Sequence, residues 1–470
     1  MRTHLLASIF LASTVLAAPV SAESLQDAIA LAYSNNPSVA AARARVRQAD
    51  EGVPIASSGA LPHLDLKGSF NQSLSDSFAD LGQVWIGGLT LRQSIWEGGR
   101  IRAGVSGAEA RIEASRLNLS AAEQRLIVDT VAAYADVLRT QEIVKLNENQ
   151  VRVLEQELRA SRDRFEVGDV TRTDVAQSEA RLSVSQANLI AARGNAVFAR
   201  QAYQRLVGRP PGQLDPLPPL PPLPADDAQA LSRSAELNPV LAAARANERA
   251  AAEDVRAAKA GRMPSIGVQA SANYNDYSNN RLGASGFDPR IGVTAGMPLF
   301  SGGLIAAQVR QAQARQSEAL ETISLTERQV TENVNNSWAL LKTSEATITA
   351  ANSSVRANTL ASEGVRQENQ VGSRDILDVL NAEQELLNSR VQLVQAERDR
   401  YVAAFQLLEA VGAADIALEG PGVQRYDPTV NARRVAGKGF AEFGYNPDPR
   451  KDTARDTAPI TNPNLMGPQQ

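Results

Sequence analysis

The chain contains itself twice, and that doubling limits its architecture more than any other property. Val167-Gly168 and Val371-Gly372 each interrupt a helical pattern, each is followed by an Asp-Val pair (Asp174-Val175, Asp378-Val379), and corresponding residues lie 204 positions apart. Leu206-Val207-Gly208 returns as Ala410-Val411-Gly412 and Tyr134 as Trp338 at the same offset. Upstream, Asn36-Pro37 matches Asn238-Pro239 and Pro62 matches Pro264 at an offset of 202, whereas Trp96-Glu97-Gly98-Gly99 and Phe300-Ser301-Gly302-Gly303 are again 204 apart. Two residues were inserted between Pro264 and Phe300. An insertion is tolerated best in a surface loop, and the stretch from Ser278 to Asp288, rich in Asn, Ser and Gly, is the natural place for it.

Prolines then divide the chain, because the ring is excluded from helix interiors. None lies between Pro62 and Pro210, or between Pro298 and Pro421. Within these windows Ile101 to Phe165 and Leu304 to Gln367 carry helix formers without a break, each segment roughly 65 residues and ~100 Å long at 1.5 Å per residue. Ile112, Leu119, Leu126 and Ala133 recur every seven residues, and Val131, Tyr134 and Leu138 widen the seam into an apolar stripe. Taken alone, these segments would also suit an ordinary coiled coil.

Period-two alternation marks four further segments. Leu64, Leu66, Gly68, Phe70, Gln72 and Leu74 alternate with polar residues from His63 to Ser75; Leu89, Leu91 and Ile95 lead to Trp96; Ile266, Val268, Ala270, Ala272 and Tyr274 follow in the second half; Ile291, Val293, Ala295, Met297 and Leu299 lead to Phe300. Length and period fit transmembrane β-strands, with Trp85, Trp96, Tyr274, Tyr277 and Phe300 at or near the ends as interfacial aromatics. A half-buried soluble sheet would alternate in the same way. Each half therefore reads helix, strand, strand, long helix, glycine turn, helix.

The flanks and composition narrow the class. Residues 1–22 read as a secretory signal, with Arg2, an apolar run from Leu5 to Leu16, and Val20-Ser21-Ala22 before a cleavage point at Glu23. The apolar run is short for a membrane anchor. No later segment could span a bilayer as a helix, so a membrane crossing would have to be made by strands. Cysteine is absent, which removes disulfides and thiolate metal sites, and the net charge of −4 argues against a nucleic-acid partner. The expected divisions are a signal (1–22), a first repeat (23–209), a Pro-rich connector (210–230), a second repeat (231–415) and a polar tail (416–470), mostly disordered or draped on the outside of the helices. The connector, PPGQLDPLPPLPPLP from 210 to 224, reads as an extended, semi-rigid spacer, with a proline-motif ligand as the other reading.

Four strands cannot close a membrane barrel, since the smallest known have about eight and an open edge in lipid strands backbone groups. Three copies would supply twelve strands, continued by a helical tube. The fold class expected is a mixed α+β membrane protein, four amphipathic strands and long antiparallel coiled helices per protomer.

SLQDAIALAYSNNPSV (24–39), LPHLDL (61–66), IWEGGRIRAGV (95–105), RFEVGDVTRTDV (164–175), LNPVLAAAR (237–245), MPSIGV (263–268), PLFSGGL (298–304) and VGSRDILDVLNAEQELL (371–387), in this order, resemble the TolC family of outer-membrane efflux proteins over about residues 23 to 415. The resemblance implies a homotrimer in outer-membrane lipid with a 12-stranded barrel and a periplasmic α-helical barrel. It also implies a periplasmic membrane-fusion adaptor and an inner-membrane pump of ABC or RND type as partners, in drug efflux or type I protein secretion. It implies no cofactor and no metal.

In that family the helix tips far from the membrane close the channel, and its LDVLD motif supplies the acids of the constriction. Here the motif is Leu377-Asp378-Val379-Leu380-Asn381, so Asp378 is kept and Asn381 replaces the second acid. The family's closing link maps onto Arg374 and Asp174, and Asn369 stands where its best-known member has a tyrosine, which implies a thinner network. Gly168 and Gly372 mark the hairpin turns. From the residues alone, Thr171 and Asp174 have capping-box spacing, and both aspartates sit in a first helical turn, where the helix dipole favours a carboxylate. Threefold symmetry would add a ring of Asp378 carboxylates on one axis, a device for attracting cations.

Two other classes compete. An enzyme is disfavoured because only His4 and His63 exist and no nucleophile motif, phosphate loop or metal cluster is present; Gly98-Gly99 and Gly302-Gly303 are too sparse to cradle a nucleotide. A periplasmic coiled-coil adaptor would share the helical hairpins but lack paired amphipathic strands.

Overall fold

The computed structural model describes residues 23–72, 83–278, 285–418 and 425–436. The expected signal, residues 73–82 with the Leu74 and Ser75 end of the first alternating segment, residues 279–284 of the expected loop, residues 419–424 and the tail from residue 437 lie outside them. In chain order the elements are α1 (Leu25–Asn35), α2 (Pro37–Asp50), α3 (Gly52–Ser58), β1 (His63–Gln72), β2 (Gln83–Glu97), α4 (Arg100–Glu166) and α5 (Arg172–Val207). The second half repeats them as α6 (Asp227–Leu237), α7 (Pro239–Ala260), β3 (Ser265–Tyr277), β4 (Gly286–Gly296), α8 (Leu304–Gln370) and α9 (Ile376–Val411), followed by a 3-10 turn (Ala414–Leu418) and α10 (Thr429–Ala436). The long helices α4 and α8 have 67 residues each. No helix among the described residues is long and apolar enough to cross a membrane.

The strands form one antiparallel sheet in the order β1-β2-β3-β4. Register puts Leu64, Leu91, Ala270 and Ile291 side by side, then Leu66, Leu89, Ala272 and Pro289, all on one face. That face is open, with Leu66 78% and Ile291 81% exposed, and Phe70 stacks on Trp85 at its outer end. The opposite face carries Asp65, Lys67, Asn71, Arg92, Gln269, Ser271, Asn273, Asp288 and Arg290, with Arg92–Asp65 (3.6 Å) and Arg290–Asp288 (2.6 Å) paired on it. An uncovered leucine face backed by a charged one suits a wall between lipid and water, not a water-soluble sheet. The outer strands β1 and β4 each pair on one side only within the chain.

β2 begins at Gln83, six residues before the alternation from Leu89 became legible, because Gly87-Gly88 erases the pattern. β4 likewise begins at Gly286, so the loop placed at Ser278 to Asp288 ends three residues early. Each strand pair hands over to its long helix through two left-handed glycines, Gly98 (φ +60°) and Gly99 (+88°), then Gly302 (+58°) and Gly303 (+83°). A β-carbon on Gly98 would meet the Met263 β-carbon at 2.2 Å. These glycines serve a chain reversal against a packed neighbour.

Lower down, α5 packs on α4, α4 on α9, and α9 on α8; higher up, α2, α4, α7 and α8 are neighbours in that order. The seams are lined by small residues: Ser178, Ser185, Ala192 and Ala199 on α5, then Ser389, Ala396, Ala403 and Ala410 on α9, all buried and all seven apart. Such a seam lets helix axes approach closely and keeps a coiled-coil register. Duplicated Asn-Pro pairs join the levels. Asn36 Oδ1 accepts from the Ser38 N–H (2.9 Å) while its Nδ2 donates to the Leu206 carbonyl at the end of α5 (3.0 Å). Asn238 does the same for Val240 (2.9 Å) and the Ala410 carbonyl ending α9 (2.9 Å). One side chain thus caps one helix and receives the end of another.

The connector is extended, as its composition requires, but it is more than a spacer. Leu214, Leu217, Leu220 and Leu223 recur every third residue, the period of a polyproline helix, and all four pack on the core around Tyr134, Tyr203 and Phe405. Glu23 fastens its start: the carboxylate accepts from Tyr203 Oη (2.8 Å) and Arg209 (3.0 Å), and the backbone N–H donates to the Gln213 carbonyl (2.8 Å). The tail lies against the helices at its beginning. Tyr426 is buried, its N–H donates to Tyr33 Oη (3.1 Å), the Arg43 guanidinium lies between the Tyr33 and Tyr426 rings, and Asn431 donates to Asp50 (2.9 Å). Residues 425–436 are therefore docked on α1 and α2.

Candidate functional site

Both hairpin tips are built by the same reversal. Gly168 ends α4 with φ +81° and Gly372 ends α8 with φ +77°. The Gly168 N–H donates to Phe165 (3.0 Å) and that of Asp169 to Arg164 (2.9 Å); Gly372 donates to Asn369 (3.1 Å) and Ser373 to Glu368 (2.9 Å). Two backbone bonds of this pattern satisfy the last carbonyls of each helix and require the left-handed glycine.

The two aspartates paired by the repeat are used differently. Asp174 is engaged by its own helix start: its carboxylate accepts from the Thr171 N–H (2.8 Å) and Oγ1 (2.8 Å), and its N–H donates to Thr171 Oγ1 (3.3 Å). This is the capping box read from the spacing. Asp375 takes Thr171's place in the second tip and makes no side-chain cap, so the Asp378 carboxylate remains outside any such box. Asp378 is 44% exposed and, among the described residues, its carboxylate pairs with Arg374 alone, at 3.5 Å one turn before it.

Arg374 is placed differently from the expected link to Asp174. Within the chain its Nε donates to Glu368 (2.9 Å) and Nη1 to Asp378 (3.5 Å), a hydrogen bond to Glu368 that raises the guanidinium pKa with Asp378 adding to it. Asp174 meanwhile is held by Thr171, so one protomer does not make the Arg374–Asp174 contact itself.

Three other arginines bridge the hairpins. Arg164 of α4 donates to Asn369 Oδ1 of α8 (3.1 Å), and Asn369 Nδ2 donates to the Arg374 carbonyl (2.8 Å). Asn369 is buried and ties both tips together, so its presence does not simply thin the network. Arg366 of α8 meets Glu383 of α9 (2.5 Å) and Glu157 of α4 (3.6 Å), while Ser362 donates to Glu383 (2.6 Å). Burial pushes the Glu157 carboxyl up; Arg366 and Arg164 pull it back, and Glu383 adds to the rise. Arg181 of α5 donates to Asn381 Oδ1 of α9 at 2.8 Å. Only Asn381 and Asn369 of these rungs drew notice in the sequence; Arg164, Arg181, Arg366 and Glu157 carry no local signal, because their partners are about 200 residues away or on a helix whose rotation the sequence leaves open.

Residues 28–209 and 230–413, the two repeats, match the model of the outer membrane efflux protein family. The chain is 34% identical to the outer membrane efflux protein BepC of Brucella suis over 92% of its own length and 95% of the relative's. It is 26% identical to the outer membrane protein TolC of Escherichia coli over 93% of this chain and 94% of that one. Among solved structures, the outer membrane protein VceC of Vibrio cholerae superposes with a TM-score of 0.71 at 24% identity, covering 83% of this chain and 96% of that one. The amphipathic sheet, the doubled long hairpins and these likenesses set the adaptor reading aside. The chain belongs to the outer membrane efflux protein family, a channel of the outer membrane with a periplasmic extension.

Proposed function

We propose that three copies assemble into a twelve-stranded barrel continued by a helical tube, which forms the exit duct of a tripartite efflux or type I secretion machine. One observation carries this: a four-stranded sheet with an apolar face, a polar face and two unpaired edges. In lipid such edges must pair, and the partner of the same length and chemistry is another copy. The helices agree, since α5 and α8 lie at opposite ends of the lower row and α8 is exposed along most of its length. The tips form the periplasmic aperture, with Asp378 and Asn381 lining it. There the adaptor and an inner-membrane pump, of ABC or RND type, deliver cargo. Arg374 of one copy, keeping Glu368 and Asp378 beside it, then reaches Asp174 of the next. The duct needs no cofactor and performs no catalysis, because the pump supplies the energy.

The test is the mass of the detergent-purified mature chain together with its conductance in planar bilayers. A trimer giving discrete ion-conducting steps is expected. A monomer that stays soluble without detergent would sink the reading. Deleting the protein and assaying both secreted proteins and drug sensitivity would identify the cargo.

A further inference from the structure

Asp378 does not stand alone on its helix face. Arg374 lies one turn before it, at 3.5 Å, and Asn381 lies one turn after it on the same side of α9. Asn381 is neutral, yet its Oδ1 holds the Arg181 guanidinium at 2.8 Å from across the hairpins. Among the described residues Arg181 has no carboxylate within ion-pair distance. An amide acceptor fixes where a guanidinium sits without cancelling its charge, whereas a carboxylate there would do both.

We propose that Arg181 is a specificity-determining residue of the aperture: with Arg374 it brackets Asp378 in positive charge and weakens the cation preference that a bare carboxylate ring would impose. This rests on the tips being the aperture of a trimer. There the three Asp378 carboxylates alternate along the axis with two tiers of guanidinia. In a constriction narrower than the screening length of about 8 Å at physiological salt, each tier acts on a passing ion. Arg374 is already shared between Glu368 and Asp378, so Arg181 supplies the uncompensated charge.

The experiment is the reversal potential of the reconstituted channel under a KCl gradient, for the parent protein, Arg181→Gln, Arg181→Lys and Asn381→Asp. Arg181→Gln is expected to shift the reversal potential towards that of potassium, raising the potassium-to-chloride permeability ratio. Asn381→Asp, which pairs the guanidinium with a carboxylate, should shift it in the same direction. Arg181→Lys, which keeps the charge and loses the planar fork, should stay close to the parent. If Arg181→Gln and Asn381→Asp raised conductance but left the reversal potential of the parent, the rung would be a mechanical tie only and the proposal would fall. A parent protein that conducts nothing would instead count against the channel assembly itself, so the two failures are distinct.

Discussion

The two hairpin tips share a backbone and differ in what their side chains do. Both reverse through a left-handed glycine with the same pair of backbone bonds. In the first, Thr171 draws the Asp174 carboxylate into the helix start; in the second, Asp375 at Thr171's place makes no side-chain cap and leaves the Asp378 carboxylate outward. Duplication preserved the fold of the turn, and one substitution at the cap released an acid from structural duty. The difference teaches that equivalent aspartates in a repeat need not share a role.

The comparison can be broken most forcefully at Asn369. Asn369→Ala removes the bond from the Arg164 guanidinium, worth about 1.5–3 kcal/mol as a hydrogen bond to a charged group, and leaves the Arg374 carbonyl without its donor. Faster hydrogen exchange in the last turns of α4 and α8 and higher single-channel conductance are expected; unchanged exchange would mean that the tips are not joined there. Next, Gly168→Ala and Gly372→Ala should each cost about 1–2 kcal/mol, the penalty of a side chain in the left-handed region. Local exchange should show equal losses at the two turns, and a large inequality would end the claim of a common backbone.

The aspartates should then separate. Asp174→Ala loses the reciprocal half of the capping box and a first-turn carboxylate, worth about 0.3–1 kcal/mol, and should lower thermal stability while leaving ion selectivity alone. Asp378→Ala should do the reverse, reducing cation preference with little change in stability. If both variants lowered stability alike, the distinction drawn from Thr171 and Asp375 would be wrong.

The smallest effect concerns pH. Burial raises the Glu157 carboxyl, so the folded chain holds that proton more readily than the unfolded one. The contribution is present below the ordinary carboxylate range and is lost as pH rises through the raised value. Glu157→Gln should therefore flatten the fall in melting temperature as pH rises above the ordinary carboxylate range. An unaltered slope would show that Arg366 fully offsets the burial.

Much of this molecule was legible because its physics is local or repeated. Missing prolines located α4 and α8 to within a few residues, and the shared offsets ordered the elements. Thr171 and Asp174 announced a cap that the structure contains. What escaped depends on distant parts meeting. Tyr426 and Asn431 sit in a polar stretch without periodicity, and the Tyr33, Arg43 and Asp50 side chains of α1 and α2 help to give them a place. The leucines of the connector had a period of three, the one available hint that it covers a core. The arginine rungs depend on how helices of opposite halves are rotated against each other, which no single helix encodes.

The Asn-Pro junctions have a mechanical consequence. Helices α4 and α8 run unbroken from the sheet to the tip, whereas the rods beside them are spliced at mid-height, α5 to α2 through Asn36 and α9 to α7 through Asn238. A single side-chain bond spans each splice. Half of the rods are therefore stiff struts that fix the length of the duct, and half have a joint where bending is cheapest. Twisting the tips open would load those joints first and leave the membrane end undisturbed, much as an umbrella folds at its stretchers while its ribs keep their length.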